Sequence, residues 1–253
     1  MLMIQSVACA AGAGELWDVV TGVLFETSNV SLALRETVDL DGERLETGSG
    51  TLILADGDTE LVFTVETPGP DGNAVTSGYR LLTKNGKTTM TDSNDPTRVQ
   101  AAKPIFGTTI LQKTPSLKGI LDIGDFAVGA LDLFYWDLVK TNQTENGGKQ
   151  IRFYIEEGKV PGLLNTVLDQ VIGMLLPKLF EFGNEEVTDT LNRLEKLNLR
   201  GIDLTVLLDA EGHATELTLD AKAAVRLDGS DGMLSVNCEM SLWDHGTSTV
   251  SAD

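Results

Sequence analysis

The sequence predicts an α+β fold, in which a large twisted antiparallel sheet carries helices over one face. Three observations lead to this prediction. Segments that alternate apolar and polar residues fill the first and the last third of the chain. Tight-turn pairs such as Asp41-Gly42 and Asn85-Gly86 separate these segments. Helical spacing precedes the first strand and returns in mid-chain, without the strand–helix alternation of a parallel sheet.

The first third is predicted to be one helix followed by a meander of about five strands. Residues Glu15 to Asn29 place apolar side chains at the spacing of an amphipathic helix. Val30 to Leu40 then alternates between an apolar and a polar face, as a half-buried antiparallel strand does. Glycine tolerates a positive φ at the following reversals. The glycines expected to have it are Gly42, Gly57, Gly86 and Gly212.

The middle of the chain is predicted to be mainly helical. Residues 92–119 contain three prolines, which oppose regular structure. Helical patterns follow at 122–140, at 161–182 and at 183–197, and the strand 149–157 separates the first two. The last third returns to strands, and we expect these to join the strands of the first third in one sheet.

The charge balance excludes some classes of partner. The chain has 38 acidic and 19 basic residues, a net charge of -19, and no basic cluster, so it is not expected to bind nucleic acid. No apolar run reaches the roughly 20 residues that span a membrane. The two cysteines, Cys9 and Cys238, could form one disulfide, although two unpaired thiols are the simpler interpretation.

The domain prediction is a leader at residues 1–14, disordered or trimmed, and a single α+β domain at 15–253. No change in composition divides the chain after the leader. The leader is apolar but lacks the basic segment of a signal peptide, since the first basic residue is Arg35.

Catalytic and metal motifs are scarce, and the chain is predicted not to be an enzyme and to need no metal or cofactor. His213 and His245 fit no metal-ligand spacing, and no Gly-x-Ser-x-Gly nucleophile motif occurs. Glu36 is the one acid on the apolar face of its strand. It marks a strand end, a solvent-exposed margin of the sheet, or a buried acid with a raised pKa.

The segment Pro161–Phe182 is apolar around most of its circumference, although a helix on a sheet buries only one stripe. Two interpretations remain open: a second helix, such as 122–140, covers the other side, or the helix lines an apolar cavity. In the second case the helix would bind a lipid chain or another apolar molecule. The ligand-binding residues predicted on this ground are Leu164, Val167, Leu168, Val171 and Leu175.

The order of elements resembles a known family. A leading helix runs into strands that include "GSGTLIL", helices interrupt, and a meander of the form "GIDLTVLLDAEGHATELTLDA" closes the chain. This order is similar to that of the LolA-type lipoprotein carriers and related lipid-handling bacterial lipoproteins. The resemblance implies a half-barrel closed by helices over a cavity for acyl chains, in an extracytoplasmic bacterial protein. The alternative is a structural or protein-interaction module with a fully packed core.

Overall fold

The computed structural model describes residues 13–22, 29–69, 72–102, 138–162, 165–166 and 194–250. These residues form one helix and eleven strands. Their bounds are α1 Ala13–Thr21, β1 Asn29–Leu40, β2 Glu43–Ala55, β3 Asp58–Pro68, β4 Ala74–Lys84, β5 Lys87–Asp92, β6 Val99–Ala102, β7 Val139–Gln143, β8 Lys149–Ile155, β9 Leu194–Leu208, β10 Ala214–Leu227 and β11 Ser230–Trp243.

All eleven strands join one sheet in the order β6-β5-β4-β3-β2-β1-β11-β10-β9-β8-β7, and every adjacent pair is antiparallel. The sheet therefore consists of two meanders, β1–β6 and β7–β11. They meet where β1 pairs with β11, from Ser31 opposite Trp243 to Leu40 opposite Leu234. This confirms the expectation that strands from both ends of the chain share a sheet.

One face of the sheet is apolar, and its buried core lies toward one end of the long strands. Side chains alternate between the two faces along each strand, and residues paired across strands point to the same face. The sequence pattern therefore predicts which face is apolar. One row runs Leu61, Leu52, Leu32 and Leu242. The buried core cluster is Leu16, Val30, Leu32, Leu52, Leu54, Val139, Ile151, Phe153, Ile155, Leu199, Val206, Leu208, Ala214, Leu217 and Leu242.

Helix α1 packs on this apolar face. Leu16 is buried in the core cluster and Val19 packs against it. Glu15 forms an ion pair with Lys149 of β8, which fixes the first turn of the helix to the sheet. At the same end of the sheet, Asn29 Oδ1 accepts a hydrogen bond of 2.7 Å from Ser248 N, so the start of β1 is tied to the segment after β11.

The predicted strands and turns are confirmed over most of their length. The meander of the first third supplies β1 to β5, and the last third supplies β9 to β11. All four glycines expected at hairpin reversals have positive φ: 84° at Gly42, 106° at Gly57, 72° at Gly86 and 91° at Gly212.

Several predicted helix boundaries are wrong, because residues at the ends of the predicted helices pair with strands of the sheet instead. The first helix was extended to Asn29, which instead begins β1. The helix predicted at 122–140 includes Val139, which instead lies in β7 opposite Phe153. The pattern at 183–197 was extended over Leu194, which begins β9 opposite Leu227. The stretch 92–119, predicted to be irregular, contains the short edge strand β6.

The other predicted helices lie almost wholly outside the described residues, so only α1 is seen to cover the apolar face. The segment 161–182 begins as predicted, since Asn165 N donates to Pro161 O at 3.2 Å, which is a helical turn. No helix within the described ranges is long and apolar enough to cross a membrane.

We expect Gly50→Ala to destabilise the protein, although removing a glycine from a strand normally stabilises it. A Cβ at Gly50 would lie 2.6 Å from the Val62 carbonyl oxygen and 2.6 Å from Phe63 Cδ2. Because the carbonyl belongs to the paired strand β3, relief requires the strands to separate, at a cost of about 1–3 kcal/mol. Urea unfolding measures this. The matched control is Ser49→Ala on the exposed face, and equal stability of both variants would contradict the expected clash.

Candidate functional site

The residues predicted to bind a ligand, Leu164, Val167, Leu168, Val171 and Leu175, all lie outside the described residues. Their role stays a prediction. The described part of the chain offers a different set of candidate residues on the apolar face of the sheet, away from the buried core cluster.

Two glutamates lie together on this apolar face. Glu36 of β1 pairs with Gly48 of β2, and Val38 pairs with Glu46, so the two acids belong to adjacent rows on adjacent strands. Their side chains are hydrogen-bonded to each other. Glu46 is only 6% exposed. A hydrogen bond between two carboxyl groups forms only while one of them is protonated.

Glycine makes room for this carboxyl pair. A Cβ at Gly48 would lie 2.6 Å from Glu36 Oε1 and 2.8 Å from Phe63 Cζ. The Glu36 side chain and the Phe63 ring therefore both occupy the space that a side chain at position 48 would fill. Phe63 in turn contacts Tyr79, with ring centroids 5.9 Å apart. The result is a packed group in which two carboxyl groups border two aromatic rings.

Burial controls the protonation of the carboxyl pair. Removal from water raises the pKa of Glu46 to about 7, with further contributions from the charge of Glu36 and from its hydrogen bond. Burial likewise raises the pKa of Glu36, while the hydrogen bond with Glu46 opposes that shift. Near neutral pH Glu46 is therefore partly protonated, whereas an isolated surface carboxyl group is almost fully ionised.

Two further titratable groups border the pair, and burial is the main reason that their pKa values are raised. Burial, followed by the charges of Glu36 and Glu46, raises the pKa of the Tyr79 hydroxyl. Cys238 is paired with Glu36 from the β11 side, and it is a free thiol. Burial, followed by the charges of Glu36 and Glu239, raises its pKa to about 11, so the thiolate is scarce and the thiol unreactive at neutral pH.

Apolar side chains surround the carboxyl pair and continue the face of the sheet beyond the core cluster. Unlike the core cluster, these side chains are only half-buried. We call this set the half-buried patch: Leu34, Val38, Leu40, Phe63, Leu219, Leu234, Val236 and Met240. It crosses β1, β3, β10 and β11, and the carboxyl pair lies within it.

The two histidines, set aside as surface residues, stack on each other with ring centroids 4.8 Å apart. His213 lies in the β9–β10 turn beside Asp209, with Nδ1 and Oδ2 3.3 Å apart. His245 Nε2 lies 2.9 Å from the Ala214 carbonyl oxygen. The stack joins this turn to the segment after β11. Within the described residues, no group of three or more histidine, cysteine or acidic side chains could hold a metal ion.

Comparison with known proteins identifies no family. No protein-family model matches the chain, and no curated protein matches it. Among solved structures, the chain is similar to a LolA superfamily protein. That protein comes from Nitrosomonas europaea; the TM-score is 0.26 at 7% identity, and the match covers 92% of this chain and 94% of the other.

Two other solved structures are similar over most of the chain. A β-barrel-like protein of a domain of unknown function, from Brucella abortus, has a TM-score of 0.21 at 10% identity and covers 86% of this chain and 99% of its own. The dehydratase domain of the rifamycin polyketide synthase has a TM-score of 0.18 at 11% identity, covering 92% and 81%. The first of the three belongs to the superfamily that the element order resembles. At these TM-scores none of them carries an argument about function.

Sequence reasoning found one half of the carboxyl pair. Glu36 was singled out as the acid on an apolar face, and the interpretation as a buried acid with a raised pKa is the one the structure supports. Glu46 was missed, although counting back from Leu52 in steps of two places it on the same face. Its pairing partner Val38 is then followed by a register shift, because β2 has one extra residue beside Asp39.

We expect the carboxyl pair to make the protein less stable as the pH rises. The folded pKa of Glu46, about 7, exceeds its usual value of 4.5, so between these values the folded chain binds more protons than the unfolded chain. The contribution of Glu46 to the free energy of unfolding is then present at low pH and is lost as the pH rises through the pKa of the folded state. At 1.36 kcal/mol per pKa unit, the loss between about pH 5 and pH 8 is roughly 2–3 kcal/mol.

Urea unfolding of Glu46→Gln at both pH values tests this expectation. Because the variant cannot ionise at position 46, it should lose roughly 2 kcal/mol less than the parent over that interval. The control Glu43→Gln removes a carboxylate from an exposed position of the same strand and should behave like the parent. The same pH dependence in Glu46→Gln and in the parent would show that Glu46 ionises normally.

Proposed function

We propose that this protein binds a lipid chain or another apolar ligand, without catalysis, against the apolar face of its sheet. The observation that carries the proposal is the half-buried patch: a set of apolar side chains on adjacent strands, continuous with the core but only partly withdrawn from water. An accessible apolar surface of this kind is a feature of ligand-binding and interaction sites. The extracytoplasmic setting belongs to the same proposal and rests on the family resemblance alone.

The ligand would lie between two walls. The half-buried patch is the sheet wall, and the predicted helix at 161–182 is proposed as the opposite wall. Its apolar positions, Leu164, Val167, Leu168, Val171 and Leu175, exceed what one sheet face needs for cover. Each methylene that moves from water to such a site contributes about 0.8 kcal/mol, so an acyl chain would bind without a specific polar anchor.

A second candidate function is supported by the carboxyl pair. General acid–base catalysis needs a group whose pKa lies near the working pH, and the pKa of Glu46 is raised to about 7 by its burial. Glu36 is hydrogen-bonded to Glu46, and the charges of both carboxyl groups act on the Tyr79 hydroxyl. Hydrolysis of an ester or a sugar linkage that Glu46→Gln abolishes would favour this candidate over non-catalytic binding.

Fluorescent fatty-acid titration tests the binding proposal, with Val236→Asn as the principal variant. Val236 lies in the half-buried patch, between Val38 and Ala221 on the neighbouring strands. Its two methyl groups would contribute about 1.5 kcal/mol to a bound chain, so the variant should bind about tenfold more weakly. The control Ser235→Asn places the same side chain on the opposite face of β11 and should leave affinity unchanged.

Two further measurements test the binding proposal. An organic extract of the purified protein, analysed by mass spectrometry, is expected to contain an acyl lipid. Val236→Ala repeats the test with less disturbance of the strand, should Val236→Asn unfold. Absence of a co-purified lipid together with absence of titratable fatty-acid binding would overturn the binding proposal and leave the packed interaction module and acid–base catalysis as the candidate functions.

A further inference from the structure

The opposite, polar face of the same strands contains a groove of about 430 Å³. It lies across β1, β2, β3 and β11, and its lining includes Glu36 of the carboxyl pair and Gly48. Eight of its lining residues alternate with apolar-face residues and so point to this polar face: Arg35, Thr37, Thr47, Ser49, Thr64, Glu66, Asn237 and Glu239. The volume falls near the lower end of the range of about 300–1,000 Å³ typical of small-molecule sites.

The groove presents hydrogen-bonding groups that are not used within the sheet. Arg35 is paired in register with Glu239 on one side and Ser49 on the other, yet its guanidinium makes no ion pair with any described residue. Thr47 accepts a hydrogen bond of 3.1 Å from Arg44, which lies outside the groove. The other six polar side chains make no side-chain hydrogen bond to the described part of the chain, so their donors and acceptors face the groove or the solvent.

The charges of the groove select against ions. Glu66 and Glu239, in a chain of net charge -19, repel phosphate and carboxylate ligands. Arg35, between the two strands that carry these acids, disfavours a simple cation. The remaining hydroxyl and amide groups both donate and accept hydrogen bonds. A neutral ligand with many hydroxyl groups satisfies such a mixed surface, since every hydroxyl can give one hydrogen bond and receive another.

We propose that this groove binds a neutral carbohydrate. Arg35 donates hydrogen bonds to hydroxyl oxygens of the sugar ring, Glu66 and Glu239 accept from ring hydroxyls at either side, and Asn237 and the threonines complete the contacts. The side chains stand on four paired strands, so the sheet holds their spacing before a ligand arrives. The apolar ligand proposed above lies on the opposite face of the sheet, and the residues that the groove shares with that face are Glu36 and Gly48.

Amide chemical-shift mapping by NMR tests the proposal. The probes are glucose, galactose, mannose, N-acetylglucosamine and their β-1,4-linked disaccharides, each added to the ¹⁵N-labelled full chain at tens of millimolar. At least one probe should shift amides of β1, β2 and β11 that border the groove, in a saturable manner. Arg35→Ala and Glu239→Gln should each weaken that binding at least tenfold, with the spectrum otherwise unchanged.

The control Arg98→Ala removes an exposed arginine before β6, outside the groove, and should bind the same sugar as the parent does. The proposal is overturned if no sugar shifts the groove amides, or if inorganic phosphate or tetramethylammonium shifts them as strongly as any sugar does. It is also overturned if Arg98→Ala weakens binding as much as Arg35→Ala. Fatty-acid binding by Arg35→Ala should remain intact, which separates failure of this site from failure of the proposed function.

Discussion

The structure depends on one constraint: the apolar residues of all eleven alternating strands must point toward the same face of the sheet. A shift of one residue in any pair would move all apolar side chains of the following strands into water. The constraint is met across the join between the two meanders, where Leu32 lies opposite Leu242 and Leu34 opposite Met240. The core, the carboxyl pair and the polar groove all take their positions from this shared alternation.

The alternation explains which parts of the fold could be predicted from the sequence. Long strands with clear period-two patterns and Asp-Gly or Asn-Gly turns, such as β1 and β10, were identified because pattern and turn chemistry agree there. The edge strands β6 and β7 were missed because they are short, and Val139 follows apolar residues that also fit a helix. The carboxyl contact could not be predicted, since Glu36 and Glu46 meet only after strand register is fixed.

The two faces of the central strands differ in the interaction by which each would bind a ligand. The apolar face would hold a hydrocarbon by removing it from water, whereas the polar face would hold a ligand by exchanging its hydrogen bonds with solvent. The carboxyl pair is an exception on the apolar face, and its burial opposes folding once both groups are ionised. Stability is commonly reduced at functional sites in this way, which is one reason to look for function there.

The pairing of β1 with β11 also has a consequence for how the chain is made. Strand β1 ends at Leu40 and its partner begins at Ser230, so a ribosome must synthesise all of the intervening strands before this pair can form. Until then β1 has hydrogen-bonding groups along an open edge and apolar side chains on one side, which is the surface that promotes aggregation. Contacts so distant in sequence also slow folding.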